Sequence, residues 1–318
     1  MKKNNFIQSR TIIITVLMIV FSFNIAYSQT GLNFDFAYGP VGNYTYWKGG
    51  QATNLSSSST ITFSPWVLFN DPATCTWTYY GSTDNCFVIN SDLNAYDLIA
   101  GGTNIKKIPT GYTRSTRINC PVAGGNSNML TYDLFVNDTN CLLTFNYAMV
   151  LESPGHQGYE NPFFKIEVQR LNTAGQELGL IDPCATFEVI GQTPAPAGWG
   201  TFSGGIWQNW RQISMNLTSY QSENVRIKVT IAGCEPTGHF SYGYFVGRVG
   251  PSTLTVNACG NGDTVATIVA PSGFQQYDWY ANPADLPEYQ LNTIATGTPL
   301  FTSTATATIP ANNQFNIR

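Results

Sequence analysis

Beyond residue 28 the chain is dominated by apolar positions that recur every second residue. Asn224 to Ile231 alternates strictly, placing Val225, Ile227, Val229 and Ile231 on one side. Phe164, Ile166 and Val168 alternate with Lys165, Glu167 and Gln169. Leu143, Phe145, Tyr147, Met149 and Leu151 share one face, and Ile213, Met215 and Leu217 alternate with Ser214 and Asn216. A period of two predicts half-buried strands of antiparallel sheets. Clusters such as Ala123-Gly-Gly-Asn-Ser127 and Pro194-Ala-Pro-Ala-Gly198 punctuate them as turns. No amphipathic stretch is long enough for a substantial helix. Many short strands, each needing one covered face, predict an all-β protein with two stacked sheets, an antiparallel β-sandwich.

The first residues follow another pattern. Lys2, Lys3 and Arg10 precede a mostly apolar run from Thr11 to Ile25, and Ala26-Tyr27-Ser28 follows with small residues at both positions that a signal peptidase inspects. This is the pattern of a secretory signal peptide spanning 1–28. Ser22 and Asn24 interrupt the run, which is short for a bilayer span. No later stretch is apolar enough to cross a membrane, so no transmembrane segment is expected in the mature chain.

A boundary is expected near Gly250-Pro251. Residues 29–250 would form one large domain, and 251–318 a smaller Ig-like or PKD-like unit with Gln276-Tyr-Asp-Trp-Tyr280 as its central strand. That second stretch is shorter than the ~100 residues of an Ig-type sandwich. It is therefore read as incomplete, the chain as a fragment of a longer protein, and the partner of Cys259 as lying in the missing part.

Charge narrows the partners. The chain has 15 Lys+Arg and 19 Asp+Glu, and removal of the leader leaves 12 basic residues against the same acids, a net charge of −7. A mildly acidic chain without a basic cluster carries no electrostatic footprint for nucleic acid. Seven cysteines in an exported chain suggest disulfides. Cys75 and Cys86 bracket the polar stretch Thr76–Asn85 and are placed to close a hairpin. Cys120, Cys141, Cys184 and Cys234 are the other candidates within the chain, and six cysteines allow fifteen connectivities. No Cys-x-x-Cys occurs, and no Cys/His spacing matches a zinc motif.

The only histidines, His156 and His239, each lie in a Gly-containing segment beside a predicted strand. They are candidates for a metal or ligand site with Glu152 or Glu160, or for loop-fixing hydrogen bonds. Trp199, Trp207 and Trp210 surround the Gly-rich stretch 200–205. Aromatic faces beside short polar side chains can hold sugar rings. Trp199 and Trp207 are candidates for such a platform or for core, and Trp210 is assigned to the core. Trp47 and Trp66 are weaker platform candidates. No Gly-x-Ser-x-Gly elbow or His-Glu-x-x-His motif occurs, so no catalytic residue is assigned. Paired carboxylates among Glu152, Glu160, Glu167 and Glu188 are the one enzymatic route left open. Four Asn-x-Ser/Thr sequons, at Asn43, Asn54, Asn137 and Asn216, are attributed to composition.

Several stretches carry a family resemblance: Leu130-Thr-Tyr-Asp-Leu-Phe-Val136, Leu143 to Leu151 with Pro154-Gly-His156, Asn161-Pro-Phe-Phe164, Trp207-Gln-Asn-Trp210 and Cys234-Glu-Pro-Thr-Gly-His-Phe-Ser-Tyr-Gly-Tyr-Phe245. Together they resemble the lectin-like jelly-roll module of large secreted surface proteins of gliding bacteria, cargo of the type IX secretion route. Ala270-Pro-Ser-Gly-Phe274 with Tyr277 and Trp279 is similar to the Ig-like or PKD-like repeat that follows such modules. The resemblance implies a jelly-roll fold, a secreted or cell-surface location, and adhesion to an extracellular glycan or cell-surface partner. Such modules often carry an Asp and then a Cys after the Tyr-Phe strand, where this chain has Val246-Gly-Arg-Val249. That departure argues against a structural calcium there, no other cofactor is expected, and it favours a Cys184–Cys234 pair. A binding module is thus the leading expectation, against a glycoside hydrolase of extracellular polysaccharide and a passive spacer of a surface filament. An aromatic-lined groove, a groove with two close carboxylates, or a surface with every Trp buried would tell them apart.

Overall fold

In the computed structural model the alternating runs pack as two antiparallel sheets, face to face. The structure describes residues 33–252 except 153–154, 183–184, 193 and 237, and beyond 252 little more than short strands. The leader and Cys259 lie outside the described residues.

One sheet has seven strands. Its path runs β10 (Glu177–Leu180), β9 (Phe163–Leu171), β14 (Asn224–Ala232), β7 (Asn126–Phe135), β1 (Trp47–Thr53) and β2 (Val67–Phe69), and β11 (Thr186–Ile190) also pairs with β9. The other has six: β12 (Gly200–Phe202), β13 (Gly205–Asn216), β8 (Leu142–Glu152), β15 (Ser241–Gly250), β6 (Ser115–Ile118) and β5 (Phe87–Asn90). From β6 to β9, and again from β13 to β15, successive strands switch sheets, the connectivity of a jelly roll. A separate hairpin, β3 (Thr76–Tyr79) and β4 (Ser82–Asn85), is closed at its base by Cys75–Cys86, with Cα atoms 5.4 Å apart.

The alternation decides what fills the space between the sheets. Val225, Ile227, Val229 and Ile231 are fully buried, as are Phe164, Ile166 and Val168 across the ladder. Leu143, Phe145, Met149 and Leu151 meet them from the opposite layer. Phe34 and Phe36 insert from the segment before β1, and Phe36 stacks on Trp47 at 5.1 Å between centroids. Trp47 donates its indole N–H to the Asn33 carbonyl at 2.9 Å, which makes it a core residue and not a platform. Gly247 gives Phe34 its room, because a Cβ at 247 would lie 2.3 Å from the ring.

The outer face of the seven-stranded sheet is charged. Arg226 pairs with Asp133 at 2.6 Å, Lys228 with Glu177 at 3.0 Å, and Lys165 with Glu167 at 3.0 Å. Glu167 and Glu188 are thereby engaged on this outer face, Glu188 lying 4.0 Å from Lys165 and accepting from the Tyr159 hydroxyl at 2.7 Å.

Two cysteine assignments change. Cys120 and Cys141 are free, buried thiols. Ile118 lies opposite Gly243, which lies opposite Met149, whereas Cys141 precedes Leu142 at the far end of β8. Cys141 is eight residues from Met149, roughly 26 Å along the strand at about 3.3 Å each, so Cys120 and Cys141 lie far beyond the ~7 Å between Cα atoms that a bridge tolerates. Cys184 lies outside the described residues.

Beyond residue 252, β16 (Thr255–Asn257), β17 (Val265–Val269) and β20 (Thr306–Pro310) form one three-stranded sheet. In another, β18 (Tyr277–Tyr280) is the middle strand between β19 (Phe301–Ser303) and β21 (Asn316–Ile317). Among the described residues these strands pair only with one another. Among the described residues no helix is long and apolar enough to cross a membrane.

Candidate functional site: a groove on the outer face of the six-stranded sheet

On β8 the run Tyr147-Ala-Met-Val-Leu151 is buried on both of its faces. Tyr147, Met149 and Leu151 point between the sheets, while Ala148 and Val150 join Tyr242 and Tyr244 of β15 in a second cluster on the outer face. A loop between β5 and β6 covers that cluster with Ala100 and Ile105.

The loop is held by one buried carboxylate. Asp97 is 3% exposed. Its Oδ2 accepts from the Tyr242 and Tyr244 hydroxyls at 2.8 Å each, and its Oδ1 from the Ala100 N–H at 2.7 Å. Burial, and then the Asp97 charge, push both phenols well above their ordinary pKa. Around this anchor the backbone closes on itself: Asp97 N–H donates to Ile105 at 2.8 Å and Lys107 N–H to Ala95 at 2.9 Å. Ser115 then hydrogen-bonds the Lys107 carbonyl.

Strand β13 supplies the opposite wall. Its register with β8 shifts between Gln208 and Arg211, three residues of β13 spanning two of β8. This is a β-bulge, and it leaves Asn209 and Trp210 unpaired at the sheet surface. Trp210 is half-buried, not sealed in the core. Its indole N–H donates to the Lys106 carbonyl at 2.6 Å, and its ring lies 6.3 Å from that of Tyr244. Between loop and bulge opens a groove of about 460 Å³, lined by Tyr96, Asn104, Lys106, Thr110, Asn209 and Trp210 among others. Lys106 Nζ stands 5.8 Å from the Tyr96 ring centre. The lining contains aromatic surface, amides, hydroxyls and one cation, and no Asp or Glu.

The other sequence candidates are distributed differently. Trp199 and Trp207 do not form one platform. Gly200 faces Trp207 across the β12–β13 ladder, so adjacent Trp199 points to the opposite side. Trp199 accordingly packs on the inter-sheet core and Trp207 on the outer cluster. The Trp207 ring lies against Gly200, where a Cβ would come within 2.0 Å of it. Trp66 packs against Phe63 at 4.9 Å.

His156 and His239 do meet, with ring centroids 5.6 Å apart. Glu160 serves its own turn, Gly158–Glu160, accepting from the Gln157 N–H at 3.4 Å. Glu152 accepts from the Phe240 N–H at 2.9 Å. Asn43, Asn137 and Asn216 each accept hydrogen bonds from the backbone N–H and hydroxyl of the Thr two residues on, so these sequons act as Asx turns. Asn54 is fully buried and donates its amide to Gly233 at 2.8 Å.

Tyr96, Asn104, Lys106 and Asn209 had no signal of their own in the sequence. The usable signal was indirect: the apolar run 147–151 covers both faces of one strand, which requires a cover on each side.

No protein-family model matches the chain. No curated protein matches it either. Among solved structures it is similar to the enzymatically active domain of tailspike protein 4 from bacteriophage CBA120, at 8% identity and TM-score 0.32, over 70% of this chain and 21% of that one. The chain thus spans about a fifth of the tailspike's length. It is also similar to a carbohydrate-binding module solved with β-1,4-galactotriose, at 9% identity and TM-score 0.27, over 52% of this chain and 82% of that one. A third likeness is to the K1 cleaved adhesin domain of Lys-gingipain from Porphyromonas gingivalis W83, at 11% identity and TM-score 0.28, over 52% and 99%. At TM-scores this low, none of them bears on function.

Proposed function

We propose that the chain is an exported, surface-acting binding module whose groove between the 92–109 loop and the β13 bulge takes a glycan. The supporting observation is the lining itself. Trp210 and Tyr96 offer aromatic faces for the C–H side of a sugar ring, and Asn104, Asn209 and Thr110 offer donors and acceptors for its hydroxyls. The volume falls within the range of ligand pockets, about 300–1,000 Å³. Lys106 at the rim favours a sugar bearing a carboxylate or sulfate. A groove with no carboxylate in its lining suits binding, whereas hydrolysis of a glycosidic bond uses a pair of them. A half-buried Trp210 beside an open groove likewise weighs against a purely passive spacer. Export and the surface location rest on the leader pattern.

The test is a glycan array probed with the unmodified chain and with Trp210→Ala, Tyr96→Ala and Trp207→Ala, each checked for folding by circular dichroism. Loss of about tenfold or more in affinity is expected for Trp210→Ala and Tyr96→Ala. Trp207→Ala should retain binding. Equal binding by the two groove variants and the unmodified chain rejects the groove.

A further inference from the structure

At one end of the sandwich, two connections converge. β8 pairs with β15 through Leu151 and Ser241, and β9 pairs with β14 through Phe163 and Ala232. The β8–β9 and β14–β15 connections therefore leave the same end, each joining one sheet to the other. The first carries His156. The second carries Cys234, two residues past β14, and His239, two residues before β15.

Hydrogen bonds hold all three positions from behind. Gly233 donates its N–H to Asn126 at 2.8 Å, and its carbonyl accepts from Asn54 at 2.8 Å. Glu235 N–H donates to the Glu160 carbonyl at 3.0 Å, tying the two connections together. The Asn161 amide donates to the His156 carbonyl at 2.6 Å, and Glu152 and Phe240, the residue after His239, exchange bonds just before β15. A cluster on such a scaffold is preorganised.

One ligand atom from each of His156, Cys234 and His239 lies within 4.8 Å of the others. Cys234 Sγ is 3.2 Å from His239 Nδ1. Independently, His156 Nε2 is buried and has no hydrogen-bond partner among the described residues. An unsatisfied buried nitrogen is costly, and a bound cation would satisfy it. Cys234 is fully buried, so a nucleophilic Cys–His pair would have no access to a substrate.

We infer that His156, Cys234 and His239 form a metal site for a d10 ion, zinc(II) or copper(I). Two imidazoles and a thiolate are borderline-to-soft donors, and no oxygen ligand is among them, which disfavours calcium and magnesium. Tetrahedral bonds of about 2.3 Å to sulfur and about 2.0 Å to nitrogen separate ligand atoms by roughly 3.5 Å. The ligand atoms, all within 4.8 Å of one another and one pair at 3.2 Å, already lie near that spacing. Three protein ligands leave a fourth position for water. The site is separate from the groove and does not depend on its occupant.

The experiment uses the chain without its first 28 residues, stripped of metal, then titrated with zinc against a chromophoric chelator and, separately, with cobalt(II). One equivalent should bind, and cobalt should show thiolate-to-metal charge-transfer absorption. His156→Ala and His239→Ala should each weaken zinc binding by more than about tenfold with the circular dichroism spectrum unchanged. Preference for copper(I) over zinc also supports the site and identifies its ion. The inference is overturned if no stoichiometric metal binds, if both variants bind as the unmodified chain does, or if peptide mass spectrometry finds Cys234 in a disulfide. Should a variant fold poorly, the cobalt spectrum of the unmodified chain decides, because absence of the thiolate band excludes Cys234 as a ligand.

Discussion

Replacing Asp97 by Ala removes the acceptor on which the groove's loop is hung. Three donors lose their partner: the hydroxyls of Tyr242 and Tyr244 and the N–H of Ala100. Each buried donor left unpaired costs about 1–3 kcal/mol. Removing the carboxylate also removes its own desolvation cost, so the net loss falls at the low end of that sum, about 3–5 kcal/mol. The loss should fall on the loop first, because its apolar contacts with the outer cluster are few: Ala100, Ile105 and half-buried Ile99. Hydrogen exchange read by mass spectrometry over residues 95–107 should therefore rise well before the global denaturation midpoint moves. Glycan binding should weaken although Trp210 is untouched. Combining Asp97→Ala with Tyr242→Phe and Tyr244→Phe should cost clearly less than the sum of the separate changes, since the orphaned hydroxyls go too. If Asp97→Ala leaves both stability and exchange protection within about 0.5 kcal/mol of the unmodified chain, the anchoring role is wrong.

Raising the pH should destabilise the fold above about pH 10. Burial holds the Tyr147 phenol up to about 12 and lifts Tyr44, Tyr132, Tyr242 and Tyr244 further. The unfolded chain releases these protons at ordinary tyrosine pKa and the folded one keeps them, so stability is intact below that range and falls as pH climbs through it; denaturant midpoints from pH 8 to 11.5 test this, and a flat profile contradicts it. Replacing Cys75 and Cys86 together by Ala should cost about 3 kcal/mol, the chain-entropy value for a loop of this size, given their separation of 11 residues. For a domain of this length that lowers the melting temperature by roughly 6–12 °C in calorimetry, and an unchanged melting point would show that β1 and the main core hold the hairpin without the bridge.

The sandwich was legible because its long strands obey one rule. In β14, β9 and β8 the apolar residues named from periodicity are all buried. The stapled hairpin was legible too, because a short polar stretch between two cysteines has few other uses. What escaped was whatever breaks that rule. The bulge at Asn209–Trp210 adds one residue, so Ile206 and Gln208 face inward before it while Ile213 and Met215 do so after it. Counting by twos through β13 cannot place both halves: it assigns Trp210 to the core, whereas the structure has it packed on both clusters but only half-buried beside the groove. The stretch Leu93-Asn-Ala-Tyr-Asp-Leu98 has no period at all, and nothing local distinguishes a buried Asp97 from a solvated one. The convergence of His156, Cys234 and His239 depends on which strands are neighbours, a property of topology and not of spacing along the chain.

The placing of β15 also sets the order of events as the chain comes into being. It is the last strand of the sandwich, yet it lies in the interior of the six-stranded sheet, between β8 and β6. Pairings elsewhere are comparably remote: Tyr132 meets Trp47 on one side and Ile227 on the other. Closing such contacts is slow, since the entropy of large loops is lost before any pairing rewards it. Until residue 250 has emerged, β8 and β6 each keep an open edge with no neighbour to fill it. Closure of the sandwich is thus deferred until β15 is present, and a chain cut short of β15 would offer two open edges to any other strand it met.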